Sequence, residues 1–479
     1  MYEVIVVGGG PAGTTAALRA RELGARVTLV EKGNMGGTCT NDGCVPIRVL
    51  AKAARLVRDA EQFAEYGLEG ELPRVDFARL LNRTQRVVYE VQEKKQLRAR
   101  LEEAGVRVYE GAGEARFLDD RTLVLGEDGA TLRGERFVLC AGGHAGRPSI
   151  PGGHRALTHS DVWTMKRLPP SVAIVGAAAT GCQLASVFAA FGSRVHLLDV
   201  APRILPAEDE AVSKGIAGAF ERRGIEVVTG IGGVDRIEGA DRGVRLFYRR
   251  EEGESSLDVG AVILAVGWPA NLEGLNLEAA GVEAHRGHVV VDDALCTSAP
   301  HVFAAGDITG RMMLVQSATH EGGIAAENAV LGGSRTLKHA VVPHGGFTDP
   351  EYGSVGPSEV ETRKDDCTVA VVPYADLDRG VIDGHTEGAC KLIVSRPTGR
   401  ILGAHIVGEQ AVEVVQIVAT AMRAGMRVEQ LADLELAYPT FTAVVGLAAR
   451  RIVRELVPAP SRRGGDELAR AAEWEYRRA

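Results

Sequence analysis

The feature that most limits the fold is a glycine-rich turn between an apolar strand and a helix. In "VIVVGGGPAGTTAALRARELGARVTLVEK", Gly8, Gly10 and Gly13 have the GxGxxG spacing. These glycines permit a tight turn, close approach of a pyrophosphate and close packing of the following helix. Glu31 ends the second strand, about 20 residues further on, where a carboxylate can bond ribose hydroxyls. This stretch therefore predicts a dinucleotide site.

A second copy of this pattern starts at "SVAIVG" and differs at one position. Gly176 and Gly181 flank the turn, and Asp199 takes the place of the acid. Ala178 replaces the middle glycine, so its methyl group crowds the pyrophosphate. Asp199 bonds a free 2′-hydroxyl and repels a 2′-phosphate, which favours NADH over NADPH. Arg194 and Arg203 lie nearby in the sequence, and because an arginine can pair with a 2′-phosphate, NADPH stays as the less favoured alternative.

Length and composition agree with a multidomain protein. A chain of 479 residues can form roughly two to four cores. Its net charge of −8 comes from interspersed charges, which argues against a nucleic-acid partner. We find no apolar run long enough for a membrane span and no secretory signal, so the expected location is the cytoplasm. The odd count of seven cysteines is unlike a secreted disulfide framework.

Two of the cysteines are close in sequence, in "GGTCTNDGCVPIRVL" (36–50). Cys39 and Cys44 would stand about 7.5 Å apart along an ideal helix, so a bridge requires a distorted turn. Gly43 can take unusual backbone angles, and Pro46 suits the first turn of a helix. Cys44 would then lie at a helix N-terminus, which lowers a thiol pKa. Because no second pair completes a zinc site, we expect a redox pair and no metal site.

The order of the motifs resembles one family. "GGGPAG", the cysteine segment, the second glycine turn and "AAGD", which ends at Asp307, occur in that sequence. The chain is similar to the flavoprotein disulfide reductases, also called class I pyridine nucleotide-disulfide oxidoreductases, which include dihydrolipoamide dehydrogenase, mercuric reductase and soluble transhydrogenase. "FTDPEYGSVG" and "TGRILGAHIVG" look like the dimerisation domain of that family.

The resemblance implies an α/β fold with two Rossmann-like dinucleotide-binding domains, one for FAD and one for NAD(P), and an α+β C-terminal dimerisation domain. The implied FAD domain comprises residues 1–150 and 270–340, and the implied NAD(P) domain comprises residues 151–269. Residues 341–460 would form the dimerisation domain of a homodimer. A charged tail would follow at 461–479.

The same resemblance implies roles for individual residues. Electrons would pass from NADH through FAD to the cysteine pair, with Cys39 reacting with the acceptor and Cys44 contacting the flavin. Tyr438 and Arg48 are the other two implied catalytic residues. The implied cofactor-binding residues are Gly8, Gly10, Ala12, Gly13, Glu31, Lys32, Gly37, Thr38, Arg48, Ala115, Gly142, Asp307, Gly176, Gly181, Gln183, Asp199 and Gly267.

Two departures from the family pattern affect the expected chemistry. Arg48 and Gln183 stand where most relatives have a lysine and a glutamate, so the flavin would feel a more positive field unless Arg48 finds another carboxylate. Tyr438 replaces a histidine, and Ala443 replaces the glutamate that pairs with it. Tyrosine, with a pKa near 10, is a poor base at pH 7.

These departures leave three functional hypotheses. The first is an NADH-dependent flavoenzyme whose acceptor is not a standard disulfide but a quinone, a metal ion or an unusual thiol. The second is conventional disulfide reduction, with Tyr438 or water handling the protons. The third is a redox-sensing flavoprotein, because Ala178 crowds the nicotinamide nucleotide. Mercuric reductase also has a C-terminal cysteine pair, which has no counterpart here after Cys390.

Overall fold

The chain alternates strands and helices in a computed structural model that describes residues 2–126 and 129–456. The predicted tail, 461–479, lies outside the described residues. The elements before the second glycine turn are β1 (Glu3–Val7), α1 (Pro11–Glu22), β2 (Arg26–Val30), α2 (Gly37–Asn41), α3 (Cys44–Glu61), α4 (Phe77–Lys95), α5 (Leu97–Glu103), β3 (Arg107–Tyr109), β4 (Ala115–Asp119), β5 (Thr122–Leu125), β6 (Ala130–Arg133) and β7 (Arg136–Leu139).

The later elements continue this alternation. Around the second turn are β8 (Leu157–Thr158), α6 (His159–Val162), β9 (Ser171–Val175), α7 (Ala179–Ala190), β10 (Arg194–Leu198), α8 (Glu210–Arg222), β11 (Glu226–Val228), β12 (Gly233–Ala240), β13 (Gly243–Arg250), β14 (Gly253–Val259) and β15 (Ala261–Leu264). They are followed by β16 (Ala284–His285), β17 (His288–Val289), β18 (Val302–Ala304), α9 (Val315–Leu331), β19 (His344–Gly346), β20 (Glu351–Val355), β21 (Cys367–Pro373), α10 (Asp378–Ile382), β22 (Ala389–Ser395), β23 (Ile401–Gly408), α11 (Ala411–Arg423), α12 (Val428–Ala432) and α13 (Ala443–Leu456).

The first glycine turn belongs to a parallel sheet of order β18-β7-β1-β2-β3. Its central strand is apolar, and Val4, Ile5 and Val6 are almost completely buried, as expected when helices cover both faces of a parallel sheet. Ligands of such sheets bind beyond the carboxyl ends of the strands. Gly8 follows β1 and Asp307 follows β18, so this sheet places both residues at the same edge.

The second glycine turn follows the central strand of another parallel sheet, of order β11-β10-β9-β15-β8. Every residue of β9 is buried. An antiparallel sheet, β19-β20-β23-β22-β21, forms the C-terminal part, and α11 and α13 pack on it. Two parallel-sheet cores with an α+β unit confirm the predicted fold class.

The predicted domain limits fall between these sheets. The limit at 150/151 lies between β7 and β8, the one at 269/270 follows β15, and the one at 340/341 lies between α9 and β19. The limits themselves stay predictions. In the described part of the chain, no helix combines the length and the apolar character that a membrane span requires.

Candidate functional site

The first glycine turn brings the start of α1 close to β1. Gly8 has φ +107°, and a side chain at Gly8 would place its Cβ 2.2 Å from the carbonyl oxygen of Cys140. A Cβ at Gly13 would lie 1.8 Å from the carbonyl oxygen of Gly8. Only glycine fits at either position. The first amides of α1 have no partner within the helix, so they form an anion-binding end at the sheet edge.

Each of the two sheets presents one acid beside its glycine turn. Glu31 accepts hydrogen bonds from the amides of Gly9, at 2.6 Å, and Gly33, at 2.8 Å. In the second sheet, Asp199 accepts from the amide of Ala177 and, at 2.7 Å, from that of Ala201. The backbone therefore fixes both carboxylates at the edge where a ribose would lie.

The second glycine turn keeps its backbone geometry despite the alanine. Ala178 precedes α7 with φ −78° and ψ −170°, whereas Gly10 precedes α1 with φ −75° and ψ −173°. Gly176 and Gly181 remain obligatory, since a Cβ there would lie 2.3 Å and 1.8 Å from carbonyl oxygens. Ala178 thus adds an exposed methyl group at the mouth of the turn without straining it.

The cysteine segment packs directly on the first glycine turn. Gly37, with φ +61°, begins α2, and a Cβ there would lie 2.8 Å from the Cα of Gly10. The predicted distortion between the cysteines is present, because α2 ends before Asp42, and Gly43 has φ −124° and ψ −99°. Cys44 is the first residue of α3, as expected. The fold therefore brings the cysteine pair and the first dinucleotide turn together.

The two thiols share a hydrogen bond that makes them unequal. Accepting a hydrogen bond from Cys44 is the main reason why the pKa of Cys39 is lowered to about 7, and the charge of Lys95 contributes. Donating that bond raises the pKa of Cys44. The sequence predicted a lowered pKa for Cys44, but the hydrogen bond with Cys39 raises it. The helix N-terminus favours a thiolate at Cys44, but the hydrogen bond between the thiols has the larger effect and keeps the shared proton on Cys44.

Alkylation of Cys39 is expected to accelerate as the pH rises through about 7. The thiolate is the reacting form, so the rate follows the pKa of this thiol. Replacing Cys44 with alanine removes the main stabilising hydrogen bond and is expected to move the midpoint upward, toward the ordinary value for cysteine. Iodoacetamide rates between about pH 5.5 and 9.5, quantified on the peptide that carries Cys39, check this. An unchanged midpoint in the Cys44→Ala variant would contradict it.

Asp307 lies at the edge of the first sheet within a network that the sequence did not predict. Its carboxylate accepts a hydrogen bond from Trp268 Nε1 at 3.0 Å, and burial raises its pKa. The preceding residue, Gly306, donates its amide to Glu321 Oε2 at 2.7 Å. Glu321 is completely buried and also bonds His339. Only the position of Trp268 in "GWPAN", after a buried strand, offered a signal.

Arg48 has a carboxylate partner, the alternative that the sequence left open. Its guanidinium bonds Glu351 Oε1 at 3.1 Å and stacks 4.1 Å from the ring centroid of Phe347. Gln183 accepts a hydrogen bond from the Phe347 amide instead of pairing with Arg48. The expectation of an uncompensated positive charge is therefore corrected. Glu351 comes from β20, far along the chain, so spacing could not reveal it.

Tyr438 lies in the segment between α12 and α13 and is 75% exposed. Its hydroxyl donates a hydrogen bond to Asp378 Oδ2, which raises the tyrosine pKa. In the described part of the chain, no hydrogen bond joins Tyr438 to either member of the cysteine pair. Within one chain, the structure does not bring this residue to the cysteine pair.

The remaining predicted cofactor residues lie in three kinds of surroundings. Ala12 is buried, Thr38 lies in α2, and Ala115 is a buried residue that begins β4. Two others are glycines with positive φ that follow strands of the two parallel sheets: Gly142 and Gly267. Lys32 is exposed and pairs with Glu114 at 2.8 Å. Their cofactor contacts stay predictions.

Comparisons with known proteins agree with this architecture. The pyridine nucleotide-disulphide oxidoreductase family matches residues 2–322, and the dimerisation domain of that family matches residues 342–449. Mercuric reductase from Staphylococcus aureus is 30% identical over 94% of this chain and 82% of its own length. Dihydrolipoyl dehydrogenase from Geobacillus stearothermophilus is 32% identical over 93% of this chain and 95% of its own length.

A solved structure with the same fold is the HOCl-induced flavoprotein disulfide reductase RclA from Escherichia coli. It has a TM-score of 0.83 and 27% identity, and the match covers 94% of this chain and 99% of that one. A Cu(II) complex of RclA matches with a TM-score of 0.81. These likenesses confirm the resemblance inferred from the order of the motifs.

Proposed function

Because the chain belongs to the pyridine nucleotide-disulphide oxidoreductase family, we propose that it is an NADH-dependent flavoenzyme that reduces a thiol-reactive metal ion, such as Cu(II), through Cys39 and Cys44. The family consists of oxidoreductases that use FAD and a pyridine nucleotide. The choice of nucleotide and of acceptor rests on the side chains of this chain. Residues 342–449 match the dimerisation domain, and we infer a homodimer.

The first glycine turn fits FAD. Gly8 and Gly13, where only glycine fits, leave the start of α1 without side chains that would block a pyrophosphate. At Gly10, an added Cβ would lie no closer than 3.7 Å to any other atom. Glu31 and Asp307 lie at the carboxyl ends of strands of the same sheet. Bound FAD supplies a two-electron carrier between the nicotinamide nucleotide and the cysteines. The protein binds it with the α1 amides and holds the cysteine segment against the same turn.

NADH is favoured over NADPH by the surroundings of Asp199. Arg203, which could pair with a 2′-phosphate, instead donates hydrogen bonds to three carbonyl oxygens, those of Leu205, Pro206 and Glu208. Arg194 begins β10, whereas Asp199 follows the opposite end of that strand. Neither arginine is therefore free at the place where the 2′-phosphate of NADPH would lie. A carboxylate there repels that phosphate.

The observation that carries the choice of acceptor is the hydrogen bond between Tyr438 and Asp378. Reduction of a disulfide releases a thiolate that a general acid protonates. The bond to Asp378 raises the pKa of Tyr438, so this residue is a poor acid near pH 7. A metal ion takes electrons without taking up a proton. Thiolates react readily with metal ions such as Cu(II), and the lowered pKa of Cys39, which is partly exposed, makes it the thiolate of the pair near neutral pH.

The names of relatives support a metal acceptor. RclA was solved as a Cu(II) complex, and three of the bacterial relatives at 30% identity are mercuric reductases. In the described part of the chain, no group of three or more metal-binding side chains competes with the cysteine pair. The proposed reaction balances: NADH and two Cu(II) give NAD⁺, two Cu(I) and one proton. Within the protein, two thiols lose two protons and two electrons and form one disulfide.

Disulfide reduction is the second candidate. In a homodimer, Tyr438 and Asp378 could face the cysteine pair of the other subunit and act as a substitute dyad. The 32% identity to a dihydrolipoyl dehydrogenase favours this candidate. The third, a redox sensor, depends on the methyl group of Ala178 blocking the nucleotide.

The test is an anaerobic titration of the FAD-loaded protein with NADH and then NADPH, followed by steady-state assays. We expect NADH to bleach the visible flavin band and to sustain Cu(II) reduction, measured with a Cu(I)-specific chelator. Turnover of lipoamide or glutathione disulfide, with Cu(II) reduction at background, would establish the second candidate instead. If neither nucleotide changes the spectrum, the protein is not a pyridine-nucleotide enzyme, and an Ala178→Gly variant shows whether the methyl group is the cause.

A further inference from the structure

We propose that Asp42 is a positioning residue that holds the break between α2 and α3, so that Cys39 and Cys44 stay within bonding distance in the reduced state. This inference rests on the redox role of the pair in the proposed function. It assigns a role to a residue between the two cysteines that the sequence analysis did not single out.

The backbone of the segment leaves helical geometry at Asp42, which has φ −140° and ψ −9°. A continuous helix would separate the thiols by about 7.5 Å along its axis, beyond the reach of a disulfide. The break is therefore a requirement of the chemistry. Cys39 and Cys44 are free thiols in this structure, so no covalent bond maintains the break.

The Asp42 side chain is bonded on both carboxylate oxygens. Ser160 Oγ donates to Oδ2 at 2.5 Å, and Trp163 Nε1 donates to Oδ1 at 2.9 Å. His159 Nε2 lies 3.2 Å from Oδ2. Trp163 also donates to the Asp42 backbone carbonyl at 3.0 Å. Both the side chain and the backbone carbonyl of Asp42 are thus bonded to a single turn, residues 159–163.

These bonds keep the carboxylate charged. Burial disfavours the ion, but the hydrogen bonds from His159, Ser160 and Trp163 outweigh burial and lower the Asp42 pKa. Bonds to an ionised acceptor are stronger than those between neutral groups. The anchor is therefore complete at neutral pH.

The two residues before Asp42 are held from a different side. Lys95 Nζ donates to Thr40 Oγ1 at 2.8 Å, and Gln92 Nε2 donates to Asn41 Oδ1 at 2.7 Å. Both donors lie on α4, three residues apart and therefore on one face. These contacts hold α2 but do not cross the break. Asp42 is the anchor at the break itself.

The turn that receives Asp42 is well fixed. His159 and Trp163 are buried, and the His159 ring lies 5.3 Å from the ring of Trp268, which bonds Asp307. The anchor thus joins the cysteine segment to the network around Asp307. Two reacting groups that are held close together behave as if at high local concentration, and here those groups are the thiols of Cys39 and Cys44.

The expected consequence is a strong preference of the pair for the disulfide. In exchange with glutathione, Cys39 and Cys44 form one S–S bond while the glutathione disulfide bond breaks, and two protons pass to two glutathione thiols. We expect Asp42→Ala to lower the equilibrium constant for disulfide formation about tenfold, which corresponds to about 30 mV. Asp42→Asn, which keeps the shape but loses the charge, is expected to give a smaller shift in the same direction.

The measurement equilibrates the FAD-loaded protein anaerobically with glutathione buffers of known ratio, and mass spectrometry counts the free thiols after alkylation. The matched control is Asp161→Ala, since Asp161 lies in the same turn and bonds Thr158 and Arg147 without touching the cysteine segment. Visible absorbance and thermal melting show whether each variant folds and retains FAD. Trp163→Phe removes the donor to both the carboxylate and the backbone carbonyl of Asp42, and its effect is expected to be smaller, but not absent, when Asp42 is already alanine.

The outcomes separate the positioning role from the proposed function. An Asp42→Ala equilibrium within about twofold of the wild type overturns the positioning role and leaves the acceptor question untouched. An equal shift in Asp161→Ala also overturns it, because the whole turn would then be responsible. A wild-type pair that forms no disulfide in any buffer overturns both proposals. Failure to reduce Cu(II), with the shift present, overturns only the proposed acceptor.

Discussion

Cys44→Ser is expected to lower NADH-driven Cu(II) reduction at least about a hundredfold while NADH still bleaches the flavin band. A loss of this size corresponds to about 2.7 kcal/mol, since each tenfold change in rate is about 1.36 kcal/mol. Serine cannot form the disulfide, although its hydroxyl can still donate a hydrogen bond to Cys39. The nucleotide turn at Gly176 and Gly181 is untouched, so electron entry is preserved. Stopped-flow bleaching measures the reduction of the flavin by NADH, and Cu(I) formation measures the later transfer of electrons to the metal ion.

Cys367→Ser is the matched control for this variant. Cys367 is a half-buried free thiol at the start of β21, and its sulfur contacts Thr362. Its replacement is expected to leave both rates within about twofold of the wild type. If Cys44→Ser retained full Cu(II) reduction, electrons would leave the flavin without the cysteine pair, and the relay would be wrong. If it also abolished bleaching, the cysteine segment would support the flavin site itself, because Gly37 packs on Gly10.

Gly13→Ala is expected to abolish FAD incorporation and to destabilise the fold by about 3 kcal/mol or more. The added methyl group would lie 1.8 Å from the Gly8 carbonyl oxygen and 3.3 Å from the Cys140 side chain. The Gly8 backbone on one side and the Cys140 Cβ on the other leave the methyl group no room, so α1 must move away from β1. The α1 amides then leave the place where they meet the pyrophosphate. The ratio of flavin to protein absorbance and the urea midpoint of the FAD-free protein check this.

Gly10→Ala is the control in the same turn. The nearest atom to a Cβ at Gly10 is the Gly37 Cα, at 3.7 Å, which is an ordinary contact. Ala178 already occupies the corresponding backbone geometry in the second turn. We expect the FAD-free Gly10→Ala protein to unfold at the wild-type urea concentration and to bind FAD more weakly. Equal stability of Gly13→Ala and Gly10→Ala would refute the packing argument.

The agreement between sequence and structure is greatest where the chemistry depends on neighbours in the chain. The spacing of Gly8, Gly13 and Glu31 specified a strand, a turn, a helix and an acid at the next strand end, and the structure has each of them. Gly43 and Pro46 likewise indicated a break followed by a helix, and α3 begins at Cys44. These features follow from local backbone geometry, which a short stretch of sequence determines by itself.

Contacts between distant segments decided the rest. Arg48 pairs with Glu351, Asp307 with Trp268, and Asp42 with the turn at Ser160, each across many residues of intervening chain. The assignment of the thiol proton also depended on the hydrogen bond between the two thiols, which outweighed the helix N-terminus. The order of motifs in the sequence was sufficient to determine the family and the two nucleotide turns. The charge partners and pKa values depended on tertiary structure, because electrostatic energy follows distance in space rather than position along the chain.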